Sequence, residues 1–141
     1  MQQCRERTRL LIGHGNEEAL QMAKEIKANY LVEWILRPQE GLAMIKVRET
    51  ARQTLFYLGE VLITETKVRI RGSIGLGILT GSHPDLSEAL AVVDAAYRAG
   101  LPETGEWDRY WDQILEKEKV YKKINRAIRE KTSVNFSTMQ D

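Results

Sequence analysis

The stretch RGSIGLGILTGSHPD, residues 71–85, sets four glycines (Gly72, Gly75, Gly77 and Gly81) in quick succession and then leads into a helix start. A glycine-rich loop feeding a helix is one way to cradle a phosphate, so its reading decides whether the chain resembles an enzyme or a part of one. A dinucleotide loop needs G-x-G-x-x-G between a strand and a helix, and Thr80 stands where the third glycine belongs. The Gly-Lys-Ser/Thr ending of a P-loop is missing too. What the stretch does show is period two, with Ile74, Leu76 and Ile78 alternating with Gly75 and Gly77. The two glycines therefore share one face of a strand and leave it bare, so that another backbone or a bulky aromatic can approach closely. The reading is a hairpin strand after a turn at Gly72-Ser73, with the loop proper at Gly81-Ser82-His83-Pro84-Asp85.

Working outward, residues 58–72 (LGEVLITETKVRIRG) place Thr64, Thr66, Val68 and Ile70 on one face and Glu65, Lys67, Arg69 and Arg71 on the other. That alternation predicts a strand with one dry and one wet face. Further upstream, LVEWILRP (31–38) reads as a strand stopping at Pro38, Gln39-Glu40-Gly41 as a turn, and LAMIKVRE (42–49) as the returning strand. Asn16 before Glu17-Glu18 predicts an N-cap, and Ala19, Leu20, Ala23 and Ile26 then recur at helical spacing until Tyr30. Downstream, Ser82 or Asp85 is placed to cap a helix whose stripe is Leu86, Ala89, Leu90, Val93 and Ala96/Tyr97, stopped by Gly100. Free N–H groups at that helix start, beside Ser82 and Asp85, suit either an anion or an ordinary cap.

Beyond the linker GLPETG, a long charged helix is expected over roughly 106–131. Its stripe runs through Trp107, Trp111, Ile114, Leu115, Tyr121, Ile124 and Ile128 and is broken at Glu118. Such a stripe either packs back on the body or docks on a partner, and the sequence leaves both open. The fold class is thus α+β: N-terminal helices, a mainly antiparallel sheet of about four strands, a packed helix and a long C-terminal helix. One domain covers 1–141, with a compact body over about 1–100 and a docking helix and tail over about 106–141.

Composition narrows the function. With 21 Lys+Arg against 20 Asp+Glu, the formal net charge of +1 provides no global field towards nucleic acid. The basic residues of 117–131 are interleaved with acids, which favours a solvated face over an RNA-binding one. No apolar run approaches a membrane span, no secretory segment opens the sequence, and a single cysteine, Cys4, excludes an internal disulfide. The balance reads as cytoplasmic. His14, His83 and Cys4 lack metal-ligand spacing. Glu60 and Glu65, five apart in one strand, point to opposite faces. A self-contained enzyme would need Glu60, Glu65, Asp94 and His83 to converge, and a nucleic-acid module would need a continuous basic face over 117–131.

LGEVLITETKVRIRG, GILTG and SEALAVVDAA, in this order and spacing, resemble the G-subunit (PhnG) family of the bacterial carbon–phosphorus lyase system. The tail VNFSTM is similar to that family's ending, with Phe136 before Thr138-Met139; Ser137 departs from it where a second aromatic is expected. The resemblance implies a subunit rather than a complete enzyme. In that family the G, H and I subunits, with an ATPase-like L subunit, act on ATP and an alkylphosphonate such as methylphosphonate. They displace adenine from the ribose C1′ to give α-D-ribose 1-methylphosphonate 5-triphosphate, and a radical-SAM J subunit later breaks the carbon–phosphorus bond. The resemblance thus implies H, I, J and L partners, two copies in a core complex and no nucleic acid or membrane. It carries over no catalytic residue, metal or cofactor of this chain, MgATP being a substrate of the complex. The partner-binding residues expected are Trp107, Trp111, Tyr121, Ile124, Ile128, Phe136 and Met139.

Overall fold

The structure, a computed structural model, describes residues 4–132. Its elements in order are α1 (Cys4–Gly13), α2 (Asn16–Asn29), β1 (Glu33–Arg48), β2 (Leu55–Ile70), β3 (Ser73–Thr80), α3 (Pro84–Ala99), a short 3-10 turn (Pro102–Glu106) and α4 (Asp108–Thr132). The three strands form one antiparallel sheet in the order β1-β2-β3. The α+β class stands as read, with three strands rather than about four.

The missing strand has a clear origin. The segments read as two strands around a turn at 39–41 are one strand of 16 residues, β1. Gly41 does not turn the chain; it pairs with Ile63 of β2. Proline is tolerated at position 38 because β1 is an edge strand, and a register shift between Leu36 and Gln39 leaves Arg37 and Pro38 out of the ladder. The β2–β3 hairpin turns through Arg71 and Gly72 (φ 46° and 80°), one residue earlier than expected, since Ser73 already pairs with Ile70. Both turn residues lie in the left-handed region that a two-residue hairpin of this hand requires. The Arg71 guanidinium stacks 4.8 Å from the centre of the Tyr30 ring.

The dry face of β2 is as expected: Thr64, Thr66, Val68 and Ile70 are all buried beneath α3. Gly75 and Gly77 let α3 ride directly on β3. A Cβ on either would stand 2.0 Å from a helix carbonyl oxygen, that of Ala91 or of Ser87. The two buried hydroxyls here satisfy each other and the strand. Ser87 Oγ donates to the Gly77 carbonyl at 2.9 Å, and Thr66 Oγ1 lies 2.7 Å from Ser87 Oγ.

Caps differ from expectation at two helices. The N-cap of α3 is His83, followed by Pro84 at the first helical position, and neither Ser82 nor Asp85 caps it. Thr64 does the local work, accepting from His83 N at 3.0 Å while its hydroxyl donates to Gly81 O at 2.5 Å. Gly100 ends α3 in the left-handed conformation, as read. The N-cap of α2 is Gly15, not Asn16. Only His14 and Gly15 separate the two helices, so Asn16 serves the preceding one. Its amide, in the orientation the neighbouring carbonyls require, donates to Leu11 O and Ile12 O at 2.8 and 2.9 Å. Met22 takes the buried place in the α2 stripe expected of Leu20, which faces solvent. The core joins α1, α2, the dry sheet face, α3 and the start of α4.

Candidate functional site

The long helix resolves into two halves at Glu118. In the first half, Trp107, Trp111 and Ile114 are buried in the chain's own core. This corrects their expected place on a partner surface: the two indoles pack back. Trp107 Nε1 donates to Glu25 Oε2 at 3.0 Å and its ring meets Tyr97 edge-on, 5.6 Å between centres. Trp111 Nε1 donates to the Tyr97 hydroxyl at 2.7 Å. Glu25 accepts from two further donors, Tyr110 Oη at 2.5 Å and Arg109 Nη2 at 2.9 Å, so three groups converge on its carboxylate. Burial alone would raise the Glu25 carboxyl, but donation from Tyr110 and Trp107 with the charge of Arg109 outweighs it and holds the group below the usual carboxylate range.

Glu118 breaks the stripe because it is where α4 leaves the body. Its carboxylate is buried but bridges Arg9 of α1 at 3.0 Å and Lys122 at 3.4 Å. The hydrogen bond from Arg9 keeps it below its ordinary value. Past this point Val120, Tyr121, Ile124 and Ile128 lie about half exposed on one face. Val120, Tyr121 and Ile124 form the apolar side of a groove of about 770 Å³ that His14, Glu17 and Glu18 close from the N-terminal helices. The His14 ring stands 5.1 Å from that of Tyr121. Of the expected partner-binding residues, then, Tyr121, Ile124 and Ile128 are presented to solvent, while Phe136 and Met139 lie outside the described residues.

A second uncovered surface escaped the sequence reading. β3 ends at Thr80 opposite Ile63, but β1 and β2 run on together from Leu42 opposite Leu62 to Arg48 opposite Leu55. This two-stranded ribbon projects past α3. Register assigns its faces: Leu42, Met44, Lys46 and Arg48 of β1 with Leu62, Glu60, Tyr57 and Leu55 of β2 share the side that faces α3 further down the sheet. Ala43, Ile45, Val47, Phe56 and Val61 share the other. Leu58 is the extra residue at the register shift between Ile45 and Lys46, and Lys46 Nζ lies 5.2 Å from the centre of the Tyr57 ring. The alternation over 42–49 was visible; that neither face finds cover was not, because a turn at 39–41 would have folded the strand back onto the sheet.

The residues weighed for catalysis stay apart. Asp94 accepts from Leu76 N and Arg98 Nε, both at 3.1 Å, and from Cys4 Sγ at 3.4 Å, with Arg7 at 3.8 Å. It ties the β3 edge to α1 and α3. His83 caps the far end of the same helix, about 16 Å away at 1.5 Å per residue. Glu65 points away from α3, and Glu60 stands in the ribbon opposite Met44. At the α3 start the Ser82 hydroxyl is held by the Glu40 carboxylate and Asp85 is exposed, so carboxylates crowd the place considered for an anion. On the basic helix Lys117 pairs with Glu18, Lys122 with Glu118 and Arg126 with Glu130. Among the described residues, no group of three His, Cys, Asp or Glu is placed to hold a metal ion, and no helix is long and apolar enough to cross a membrane.

Among the described residues, Glu25, Asp94 and Glu118 tie elements together, while apolar side chains stand exposed on the outer half of α4 and on the ribbon. No individual curated protein matches the sequence significantly. The model of one family, described as Phosphonate metabolism protein PhnG, matches residues 2–140, nearly the whole length. The chain belongs to the PhnG family of phosphonate metabolism proteins.

Proposed function

We propose that the chain is an accessory and assembly subunit of the carbon–phosphorus lyase core complex, working in the cytoplasm with H, I, J and L subunits and present there in two copies. Its role is to support the step in which an alkylphosphonate oxygen displaces adenine from C1′ of ATP, leaving α-D-ribose 1-methylphosphonate 5-triphosphate. MgATP is then a substrate of the assembly, and this chain binds no cofactor of its own. The observation that carries the reading is the contrast within one small protein. Glu25, Asp94 and Glu118 are all engaged in holding the fold, while the outer half of α4 and the β1–β2 ribbon stay uncovered. Contiguous exposed apolar surface of this kind marks a protein interface.

The isolated chain incubated with MgATP and methylphosphonate is expected to release no adenine, whereas the mixture with H, I and L subunits releases it. Adenine release by the pure chain alone overturns the subunit reading.

A further inference from the structure

The β1–β2 ribbon exposes large apolar side chains on both sides, and that restricts what covers it. An isolated two-stranded ribbon is marginal in water. This one nonetheless exposes eight large apolar side chains between Leu42 and Leu62. At roughly 100 Å² each they amount to about 800 Å², what one partner contributes to a standard specific interface. A flat partner surface covers one face and strands the other. A second copy meeting it about a two-fold axis does the same, since an isologous contact uses one patch of each chain. The faces also differ in charge. Ala43, Ile45, Val47, Phe56 and Val61 make one side wholly apolar, while the other carries Glu60 beside Met44 and two cations, Lys46 and Arg48, nearer the tip.

We propose that the ribbon inserts into a cleft of one heteromeric protein partner, with an apolar wall against Ile45 and Phe56 and a carboxylate-bearing wall against Lys46 and Arg48. This rests on the subunit reading above and names the surface and the kind of partner. Insertion buries both faces at once and extends the sheet's reach beyond α3 without reorganising the body.

The experiment uses the full chain co-expressed with the H, I and J subunits. A benzoylphenylalanine photo-crosslinker replaces Phe56 in one variant and Tyr57 in another, neighbours that point to opposite faces. Both are expected to cross-link to the same partner polypeptide. Ile45→Asp and Leu55→Asp, one on each face, are expected to weaken association roughly 30-fold or more, the scale of an interface hot spot. Leu55 stands opposite Arg48, so the new carboxylate meets no like charge across the ribbon. The melting curve of each isolated variant should match that of the parent. Cross-linking from one face only, to two different partners or to a second copy overturns the proposal, as does binding of the free chain to anionic lipid vesicles through these positions. Full association of both Asp variants overturns it while leaving the subunit reading intact. Failure of the parent chain to associate with any of the three subunits overturns both.

Discussion

A Cβ placed on Gly77 would lie 2.0 Å from the carbonyl oxygen of Ser87, and the Ser87 hydroxyl in turn donates to the Gly77 carbonyl at 2.9 Å. The contact repeats at Gly75 against Ala91. Two strand residues advance about 6.7 Å and four helix residues about 6 Å, so a G-x-G strand and a small-x-x-x-small helix stay in step where they cross. Gly77→Ala should therefore destabilise the isolated chain by about 3 kcal/mol, the upper end of ordinary overpacking, because the obstacle is backbone that cannot rotate away. Gly105→Ala, where nothing lies within 4 Å, should change stability by less than about 1 kcal/mol. Urea melts of the two variants beside the parent check this; near-parental stability of Gly77→Ala would show that α3 does not ride on β3 as described.

The same region explains what could be read in advance. Alternation over 64–78 is a local signal imposed by one dry face, so the strand, its buried threonines and the bare glycine face were all legible. The length of β1 was not, since Pro38 and Gly41 carry turn signals that only their pairing with β2 overrides. Trp107 and Trp111 lay on a correctly read stripe. Which part of that stripe the body covers depends on where Arg9 meets Glu118, a contact between residues 109 positions apart.

Trp111 now has a definite expectation. Its indole is buried and bonded to Tyr97, so Trp111→Ala should cost the isolated chain roughly 3–5 kcal/mol, as large-to-small core changes do. Thermal melting of the chain without partners is the measurement. A variant that melts like the parent would return this residue to the partner surface.

Glu25 gives a pH signature. Its folded carboxyl is held below the ordinary value, so the stability it contributes is complete above the unfolded pKa, about 4.3, and is lost as pH falls through the lower folded value. Tyr110, raised chiefly by its bond to Glu25, behaves oppositely: its contribution is complete below about pH 10 and lost as pH rises through the raised folded value. Glu25→Gln should therefore cost about 1–2 kcal/mol near neutral pH, a modest figure because the carboxylate is partly exposed. The gap between variant and parent should narrow below about pH 4. Urea midpoints measured from acid to alkaline pH test it, and a gap constant across that range would show that the network contributes no charge-dependent stability.

Ile124 separates docking from folding on the same helix that carries Trp111. It sits at the centre of the uncovered stripe with Val120, Tyr121, Ala127 and Ile128 at its helical neighbour positions, so a carboxylate there meets no like charge one turn away on its own helix. The groove it lines also holds Glu17 and Glu18, together with Lys117. Glutamate is also a good helix former and the groove is open to solvent, so Ile124→Glu should leave the isolated chain within about 1 kcal/mol of the parent. If the outer half of α4 is a partner surface, the same change desolvates a charge in the interface and should cost about 2 kcal/mol or more of binding to the H, I and J subunits. A melt paired with a binding titration reads both quantities. Undiminished binding would confine docking to other surfaces of the chain, whereas a large loss of stability without partners would mean that this half of α4 is also part of the fold.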